Sequence, residues 1–426
     1  MRRVTLLFTT FPVATETFLQ REVTALRALG VEVEPRSLWG GAAGWGGKPV
    51  VRLGLGGIAR SFAAAALWAV RSPRGLARAV RLAVHVPFRG WVNFWETWLG
   101  LAAGLTWARE LSEPVAGEIH AVWGSAPATA ALVIKHLTGR PFSFAAHAYD
   151  LFENGGDGLL PEKVRAGTWM RSSTEVGCQA LMGAGANPKH VHLVRRGLPE
   201  LPPRRSLRAR SGRLELFAVG RLVPKMGFDR LLDACAILRA EKVPFRLRLV
   251  GGGPLEGALR AQVRALGLTD AVTLLGARPF AEVAELFGEV DALVFSGVVS
   301  RSGDRAGLPN VIAEAMVFGV PVVATPIGAV EEAIADGQTG LIARDASGIA
   351  VAVRQLWADP ARAIRLADHA RTWAETHYDA RRNMARLAAL LFAAERTVSG
   401  LGDFPLASDE ERAPNRRQDG PGPAAP

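Results

Sequence analysis

The chain has 426 residues, of which 49% are hydrophobic, so it is long enough for two domains rather than one core. Its formal net charge of +11 suits phosphorylated ligands or an anionic membrane, and nucleic acid is not expected because no zinc finger, RNP motif or P-loop is present. Its two cysteines, Cys178 and Cys235, lack disulfide or zinc-site spacing, so we expect a reducing, cytoplasmic compartment.

The first half of the chain alternates strand and helix patterns. Val4–Phe8 predicts a first strand rather than a secretory signal, and Glu16–Leu29 predicts an amphipathic helix. Further strands are predicted at Val31–Pro35, Ile119–Trp123 and Phe142–Ala145, with a helix at Pro127–Leu137. A helical stretch over 57–112 is broken near Pro73 and Pro87, and no charge-free run in it reaches the length of a membrane span.

A change of composition marks the boundary between two predicted domains. Residues 199–213 are rich in Pro, Arg and Ser without periodicity, which predicts a linker between domains at 1–198 and 214–375. In the second domain, strands are predicted at Leu214–Val219, Phe245–Val250, Val272–Leu275, Ala292–Phe295 and Pro321–Ala324, and helices from near Phe228, Leu255, Phe280 and Asn310. This alternation predicts a parallel α/β sheet, whose ligands bind beyond the carboxyl ends of the strands.

The end of the chain has two parts. Helical patterns follow from Asp359 to about Arg396, and residues 376–399 are predicted to return to the N-terminal domain. Residues 400–426 are rich in Pro, Gly and charge, which predicts a disordered tail.

The segment Gly220–Gly227 directly follows a predicted strand. Arg221 and Lys225 can place two cations over one point there, which suits a pyrophosphate. The alternative is a pair of solvated turn cations. A second glycine run, Gly251–Gly253, permits close backbone approach but lacks the spacing of a dinucleotide-binding fingerprint.

A second candidate site follows the strand Ala292–Phe295. Gly307 allows close approach to a ligand, Pro309 suits a first helical turn, and the free amides of that turn form an anion site. Glu314, one turn later, can accept hydrogen bonds from ribose hydroxyls. The alternative is a carboxylate favoured only by the helix dipole, but its apolar neighbours argue for a partner.

Polar residues also follow strands in the first half. His147 comes just after Phe142–Ala145 and can bind a sugar hydroxyl or an acceptor, whereas the alternative is a core or capping histidine. Glu16 and Thr17 follow the first strand and can form a cleft wall, with an ordinary N-cap at Thr15 as the alternative.

Taken together, the segments resemble the retaining glycosyltransferase family 4, which has the α/β GT-B fold of two Rossmann-like domains with a cleft between them. The resemblance extends to about residue 395 and is strongest over LFAVGRLVPKMGFDRLLDA, RLVGGGPLEGALR, VTLLGARPFAEVAELF, DRAGLPNVIAEAMVFGVPVVAT and GAVEEAIADGQTGLIA. The first half, with FPVATETFLQREVTALRALG, IHAVWGSAPATAALVIKHLTGRPFSFAAHAYDLF and HVHLVRRGL, is similar to the subgroup that builds bacterial exopolysaccharides and lipid-linked glycans.

The resemblance implies transfer of a sugar from a UDP- or GDP-linked donor to a glycan or lipid-linked acceptor, with retention of configuration and without a metal or cofactor. Arg221 and Lys225 would hold the diphosphate, Glu314 the ribose, and His147 the transferred sugar or acceptor. The other implied donor-binding residues are Gly220, Gly252, Arg278, Gly307, Leu308, Pro309 and Asn310. The implied acceptor-side residues are Glu16, Thr17 and Asp150.

Two positions depart from the family's pattern. Ala306 replaces the first acidic residue of an E-x7-E pair, with Asp304 close by. Met226 stands where a lysine often precedes the glycine, with Lys225 one residue earlier. These departures support an alternative, a catalytically weak nucleotide-sugar- or glycan-binding relative in a polysaccharide assembly complex. A third hypothesis is an epimerase of similar build.

The segment 91–107 carries four of the 11 Trp residues. Upstream of it lie Arg71, Arg74, Arg78, Arg81 and Arg89. This combination suits peripheral contact with an anionic bilayer at the inner face of the membrane, as a lipid-linked acceptor would require. The alternative, which we prefer for most of these Trp residues, is packing in the core of the first domain.

Overall fold

The computed structural model describes residues 2–13, 16–113, 117–198, 200–203 and 212–393. Within these ranges the chain forms two α/β units, each built on one parallel sheet with helices on both faces. The predicted disordered tail at 400–426 and most of the predicted linker lie outside the described residues. None of the described helices combines the length and apolar character needed to cross a bilayer.

The first unit begins with the predicted first strand and contains the long helical stretch. Its elements are β1 (Arg3–Phe8), α1 (Thr17–Ala28), β2 (Glu32–Ser37), β3 (Gly44–Trp45), β4 (Lys48–Pro49), β5 (Val51–Arg52), α2 (Gly54–Arg71), α3 (Pro73–Val84), α4 (Trp91–Leu111), β6 (Glu118–Ala121), α5 (Ala126–Thr138), β7 (Ser143–Ala145), α6 (Tyr149–Phe152), α7 (Leu160–Ala166), β8 (Met170–Ser172), α8 (Glu175–Gly183) and β9 (Val191–Leu193). The sheet order is β5-β2-β1-β6-β7-β8-β9. The stretch predicted over 57–112 is thus three helices, and α3 begins at Pro73, whose fixed φ suits the first helical turn.

The second unit follows the predicted alternation closely. Its elements are β10 (Leu214–Val219), α9 (Phe228–Ala240), β11 (Phe245–Val250), α10 (Glu256–Ala265), β12 (Val272–Gly276), α11 (Phe280–Phe287), β13 (Ala292–Phe295), α12 (Asn310–Val317), β14 (Val322–Ala324), α13 (Val330–Ala333), β15 (Leu341–Ile342), α14 (Ala346–Ala358), α15 (Pro360–His377) and α16 (Ala380–Leu391). The sheet order is β12-β11-β10-β13-β14-β15, and all its pairings are parallel.

Side chains of each central strand alternate between two apolar clusters. In β1, Val4 and Leu6 lie in a cluster that includes residues of α1 and α16, whereas Leu7 lies in a cluster that includes residues of α4 and α5. In β10, Leu216 and Phe217 divide in the same way between two clusters of the second unit. The period of two in a strand therefore gives each sheet a buried core on both faces.

The last helix crosses back to the first unit. α15 contributes Ala370 and Ala374 to a core of the second unit, whereas α16 contributes Leu387 and Leu391 to the core around β1. The chain therefore crosses between the two units a second time, beside α1.

The Trp-rich segment is divided between surface and core. Trp91 and Trp95 are exposed, Trp98 is half-buried and Trp107 is buried in the core of the first unit. The expectation that most of these residues lie in the core is therefore wrong for the first turns of α4.

Candidate functional site

Strand order in both sheets changes direction at a central strand. β10 lies between β11 and β13, and β1 lies between β2 and β6. In open α/β sheets the loops that follow such strands open a crevice where ligands bind. The loop 220–227 after β10 and the segment 296–309 after β13 lie on either side of this point in the second sheet.

An ion pair joins these two loops. Lys225 Nζ lies 2.6 Å from Asp304 Oδ2, and both side chains are largely buried. The other oxygen, Asp304 Oδ1, is buried and has no hydrogen-bond partner among the described residues. The charged residues close to Met226 and Ala306 thus contact each other and link the two loops.

The amino end of α12 faces the first unit. Asn310 is the first helical residue, and its Oδ1 accepts hydrogen bonds from Tyr378 Oη at 3.2 Å and Arg196 Nη1 at 3.5 Å. A Cβ on Gly307 would lie 3.3 Å from the carbonyl oxygen of His147, so a glycine lets this turn approach the first unit closely. Pro309 and Leu308 belong to the same turn. The free amides of this helix end therefore lie at the seam between the units.

Glu314 meets an arginine of the other unit. Its Oε1 accepts a hydrogen bond at 3.1 Å from Arg21 Nη1, and both side chains are buried. Burial raises the pKa of Glu314, and the charge of Arg21 opposes that shift. Arg21 also lies over the ring of Phe280, 4.1 Å from its centroid, while its Nη2 is buried without a partner among the described residues. Sequence reasoning missed Arg21 because only packing of the two units brings α1 beside α12.

A second arginine that sequence reasoning did not single out lies at the same seam. Arg196 lies 3.7 Å from the ring centroid of Phe18, and burial lowers its pKa to about 10, so it stays cationic at neutral pH. Burial raises the pKa of Glu16, and the charges of Arg196 and Arg221 counteract that shift. The charges of Arg196 and Arg221, one from each unit, thus act on the same carboxylate, and Arg221 is exposed to solvent. The block HVHLVRRGL, which contains Arg196, is the part of the sequence that could have indicated this residue.

His147 is buried at the end of β7. The backbone N–H of Ser173 donates to its Nδ1 at 3.3 Å, and its ring meets that of Trp123 edge-on at 5.5 Å. Burial and nearby arginines lower the pKa of His147 well below its ordinary value, so the ring is neutral. With Nδ1 accepting, Nε2 carries the proton and can donate a hydrogen bond.

The other predicted acceptor-side residues differ in role. The carboxylate of Asp150 accepts backbone N–H groups from Gly124, His147 and Ala148 at 2.8–3.0 Å, so it holds the loop that carries His147 in shape. Thr17 is the first residue of α1, beside Glu16, and is partly buried. Thr15, offered as an N-cap, lies outside the described residues.

The remaining predicted donor-binding residues occupy the outer part of the crevice. The N–H of Gly220 donates to Val250 O at 3.0 Å, and a Cβ on Gly252 would lie 3.5 Å from Ala277 Cβ. Arg278 is exposed and pairs with Glu282 at 3.3 Å, which places it on the loop after β12 rather than at the seam. In the described part of the chain, no group of three His, Cys, Asp or Glu residues is arranged to hold a metal ion.

Comparison with known proteins places this geometry among glycosyltransferases. Residues 213–359 match the family model described as glycosyl transferases group 1. WcaL of Salmonella typhimurium, a glycosyltransferase assigned provisionally to colanic acid biosynthesis, is 27% identical over 81% of this chain and 87% of its own length. The GDP-mannose-dependent alpha-(1-6)-phosphatidylinositol monomannoside mannosyltransferase of Mycolicibacterium smegmatis is 34% identical over 45% of this chain and 52% of its own length.

The fold is also that of solved structures. HepE of Anabaena, in complex with UDP, superposes with a TM-score of 0.65 over 92% of this chain and 100% of its own, at 18% identity. The expectation of a GT-B fold is confirmed. The matched domain, the relatives and the fold together support a glycosyltransferase with two Rossmann-like domains.

Proposed function

We propose that this chain transfers a sugar from a UDP- or GDP-linked donor to a glycan or lipid-linked acceptor of a bacterial polysaccharide. We propose further that the transfer retains the anomeric configuration and uses neither metal nor cofactor. The observation that carries the proposal is that Arg196 contacts Asn310 at the amino end of α12 and acts, together with Arg221 of the other unit, on the carboxylate of Glu16. Lys225, which pairs with Asp304, lies on the same loop as Arg221. A departing nucleoside diphosphate develops negative charge, which such cations and the amino end of a helix stabilise.

The remaining residues of the seam have roles that follow from their geometry. Glu314, one turn into α12, would accept hydrogen bonds from the ribose hydroxyls, in exchange for or beside its contact with Arg21. Neutral His147 would donate from Nε2–H to a hydroxyl of the transferred sugar or the acceptor. In the reaction that we propose, the leaving phosphate oxygen takes the acceptor's proton, so no separate base is needed on the chain.

The relatives support the substrate classes of this proposal. WcaL is assigned to an exopolysaccharide, colanic acid, and HepE has been solved with UDP and with UDP-glucose. The mycobacterial relative uses GDP-mannose. The proposed donor therefore carries either uridine or guanosine as its nucleoside.

A donor-turnover assay tests the proposal. The assay combines a panel of UDP- and GDP-sugars with an acceptor extract and measures the release of UDP or GDP. We expect this release to continue in the presence of EDTA and to be lost in Glu314→Gln. Glu256→Gln, at an exposed position on α10, is the matched control. Nucleotide-sugar binding without any turnover would favour the alternative, a catalytically weak binding protein, which Ala306 and the engagement of Glu314 by Arg21 make worth testing.

We also propose peripheral contact of the first unit with an anionic membrane at its cytoplasmic face. Exposed apolar side chains stand on α2, α3 and the start of α4, among them Phe62 at 76%, Val70 at 83% and Trp95 at 64% exposure. Exposed arginines share these helices and the loop before α4, namely Arg60, Arg71, Arg74, Arg78, Arg81 and Arg89. Apolar and basic groups together are the combination that binds an anionic bilayer surface.

A further inference from the structure

The first unit contains a cavity of about 120 Å³ that the proposed donor site does not use. The first turns of α4 form one wall, and the loop and helix over 149–157 form the other. Trp91 also lines the cavity. The polar lining residues are Arg89, Asn93, Glu96, Ser125, Tyr149, Asp150, Glu153, Asn154 and Asp157.

The lining includes Glu96, a carboxylate that forms no ion pair with the residues that the structure describes. Glu96 Oε1 accepts hydrogen bonds from Tyr149 Oη at 2.9 Å and Ser125 Oγ at 3.3 Å. Its other oxygen accepts none from any described residue, and the buried Lys163 pairs with Asp157 at 2.6 Å instead. Glu96 therefore retains an acceptor for a ligand hydroxyl, in a wall that also holds the amide of Asn93.

Electrostatics make this carboxyl adaptable. Burial raises the pKa of Glu96 to about 7, the charges of Asp157 and Asp150 add to the rise, and the Tyr149 hydrogen bond and Lys163 oppose it. A carboxyl with that pKa can accept a hydrogen bond from a hydroxyl when ionised and donate one when protonated. Both forms suit a hydroxyl-rich ligand, since a hydroxyl can donate to one form and accept from the other.

The lining also supplies an apolar platform. Trp91 is 69% exposed, and its ring packs edge-on against Phe88 at 5.4 Å and Phe94 at 5.9 Å. These contacts hold the indole in place while leaving much of its surface to solvent. A flat aromatic surface beside a carboxylate, an amide and two hydroxyls matches a pyranose, which has an apolar C–H face and hydroxyls at its edge.

The cavity adjoins the seam between the units. The ring of Tyr149 lies 5.6 Å from that of Trp123, which in turn contacts the ring of His147. The N–H of Asn154, at the cavity's edge, donates to Ser302 O of the second unit at 2.7 Å. A ligand in the cavity is thus connected to the residue proposed to contact the transferred sugar through two packed rings.

We infer that this cavity binds a sugar residue of the acceptor, with Glu96 on its hydroxyls and Trp91 against its apolar face. That the bound sugar belongs to an acceptor rests on the proposed function. The binding of a sugar to this cavity can be tested by itself. Exposed apolar side chains lie close to Trp91 in the chain and would contact the membrane. The lipid part of a lipid-linked acceptor would then stay at the membrane surface while its sugar enters the cavity.

Saturation-transfer NMR with methyl α-glucoside, α-galactoside and α-mannoside as probes tests the inference. We expect the full chain to bind at least one glycoside, and Trp91→Ala and Glu96→Gln each to weaken that binding at least tenfold. Trp357→Ala, an exposed tryptophan on α14, is the matched control and should leave glycoside binding unchanged. Calorimetric affinities for UDP and GDP should stay within twofold in all three variants.

Two results would overturn the inference: glycoside binding that both cavity variants retain, or no binding of any of the three glycosides to the unaltered chain. Failure of the proposed function is read separately. If UDP and GDP do not bind while a glycoside binds in a Glu96-dependent way, the cavity assignment holds and the transfer reaction does not. Trp91 is exposed, so its replacement keeps a folded variant available even if Glu96→Gln unfolds.

Discussion

Two charged residues at the seam each form an ion pair and still have one polar atom without a hydrogen-bond partner among the described residues. Asp304 Oδ1 and Arg21 Nη2 are both buried without partners in the described part of the chain, although each residue already has one ion pair. Buried polar atoms without partners cost free energy, so a site that tolerates them is suited to a polar ligand.

Replacing Arg221 tests the diphosphate site at the level of one side chain. We expect Arg221→Ala to weaken UDP or GDP binding by about 1.5–3 kcal/mol, the usual loss for hydrogen bonds to a charged group. Isothermal titration calorimetry measures this directly, and Arg264→Ala, at an exposed position of α10, serves as the control. An unchanged affinity in Arg221→Ala would contradict the role proposed for this guanidinium.

Glu96 predicts a pH dependence of stability. Because its pKa is raised from 4.5 to about 7 in the folded chain, its contribution to stability is complete below about pH 4.5 and is lost as pH rises through 7. We expect the free energy of unfolding to fall by up to about 3 kcal/mol from this group between those limits. Urea denaturation at pH 5 and pH 8 should show a smaller change in Glu96→Gln, and equal changes in both proteins would refute the prediction.

At the scale of elements, close backbone contacts position the loops of the second unit. Gly251 has φ of +153°, and a Cβ there would lie 1.8 Å from the carbonyl oxygen of Gly220. The loop after β11 therefore supports the loop that carries Arg221 and Lys225 only while this residue is glycine.

A methyl group at that point should displace the donor loop. We expect Gly251→Ala to reduce UDP or GDP affinity at least tenfold, because the clash moves backbone that cannot rotate away. Gly257→Ala in α10 is the control, since a Cβ there meets nothing within 4 Å and a helical alanine should stabilise the chain by up to about 1 kcal/mol. Calorimetry gives the affinity and thermal melting the stability. Normal affinity in Gly251→Ala would show that the two loops are independent.

Several elements of the second unit agree with the predicted bounds. β10, β11 and β13 have the predicted bounds, and α9, α11 and α12 begin where predicted, because glycines and prolines punctuate short apolar runs. The short strands β3, β4 and β5 and the helices α6 and α13 carry too few residues to show a period. Only pairing with neighbours defines such elements.

The two units are held together by contacts between residues that lie far apart in the chain. α16 crosses to the first unit, and Glu332 of α13 accepts hydrogen bonds from Arg195 Nη1 at 2.8 Å and from the N–H of Val176 at 2.9 Å. These contacts bring the carboxyl ends of the strands around β1 and β10 to one seam.

Membrane contact is a property of the assembled surface of α2, α3 and α4. In flotation with phosphatidylglycerol vesicles we expect binding at low salt that falls as salt screens the arginines. The double variant Phe62→Ser, Trp95→Ser should lower partitioning at least tenfold, because it removes two apolar side chains worth about 1.5–3 kcal/mol each when buried. Ile364→Ser, exposed on α15, is the control. Absence of flotation at low salt would end this proposal.

The sequence by itself determined the two parallel α/β units, the loop that carries Arg221 and Lys225, and the helix α12, in which Glu314 stands among apolar residues. These features depend on residues near one another along the chain, where period, glycine and proline act locally. Only the tertiary structure decided that Arg21 meets Glu314, that Arg196 joins Arg221 near Glu16, and that Glu96 faces a cavity. Each of these contacts joins residues far apart in the chain, and such contacts arise from the packing of whole elements rather than from any local preference.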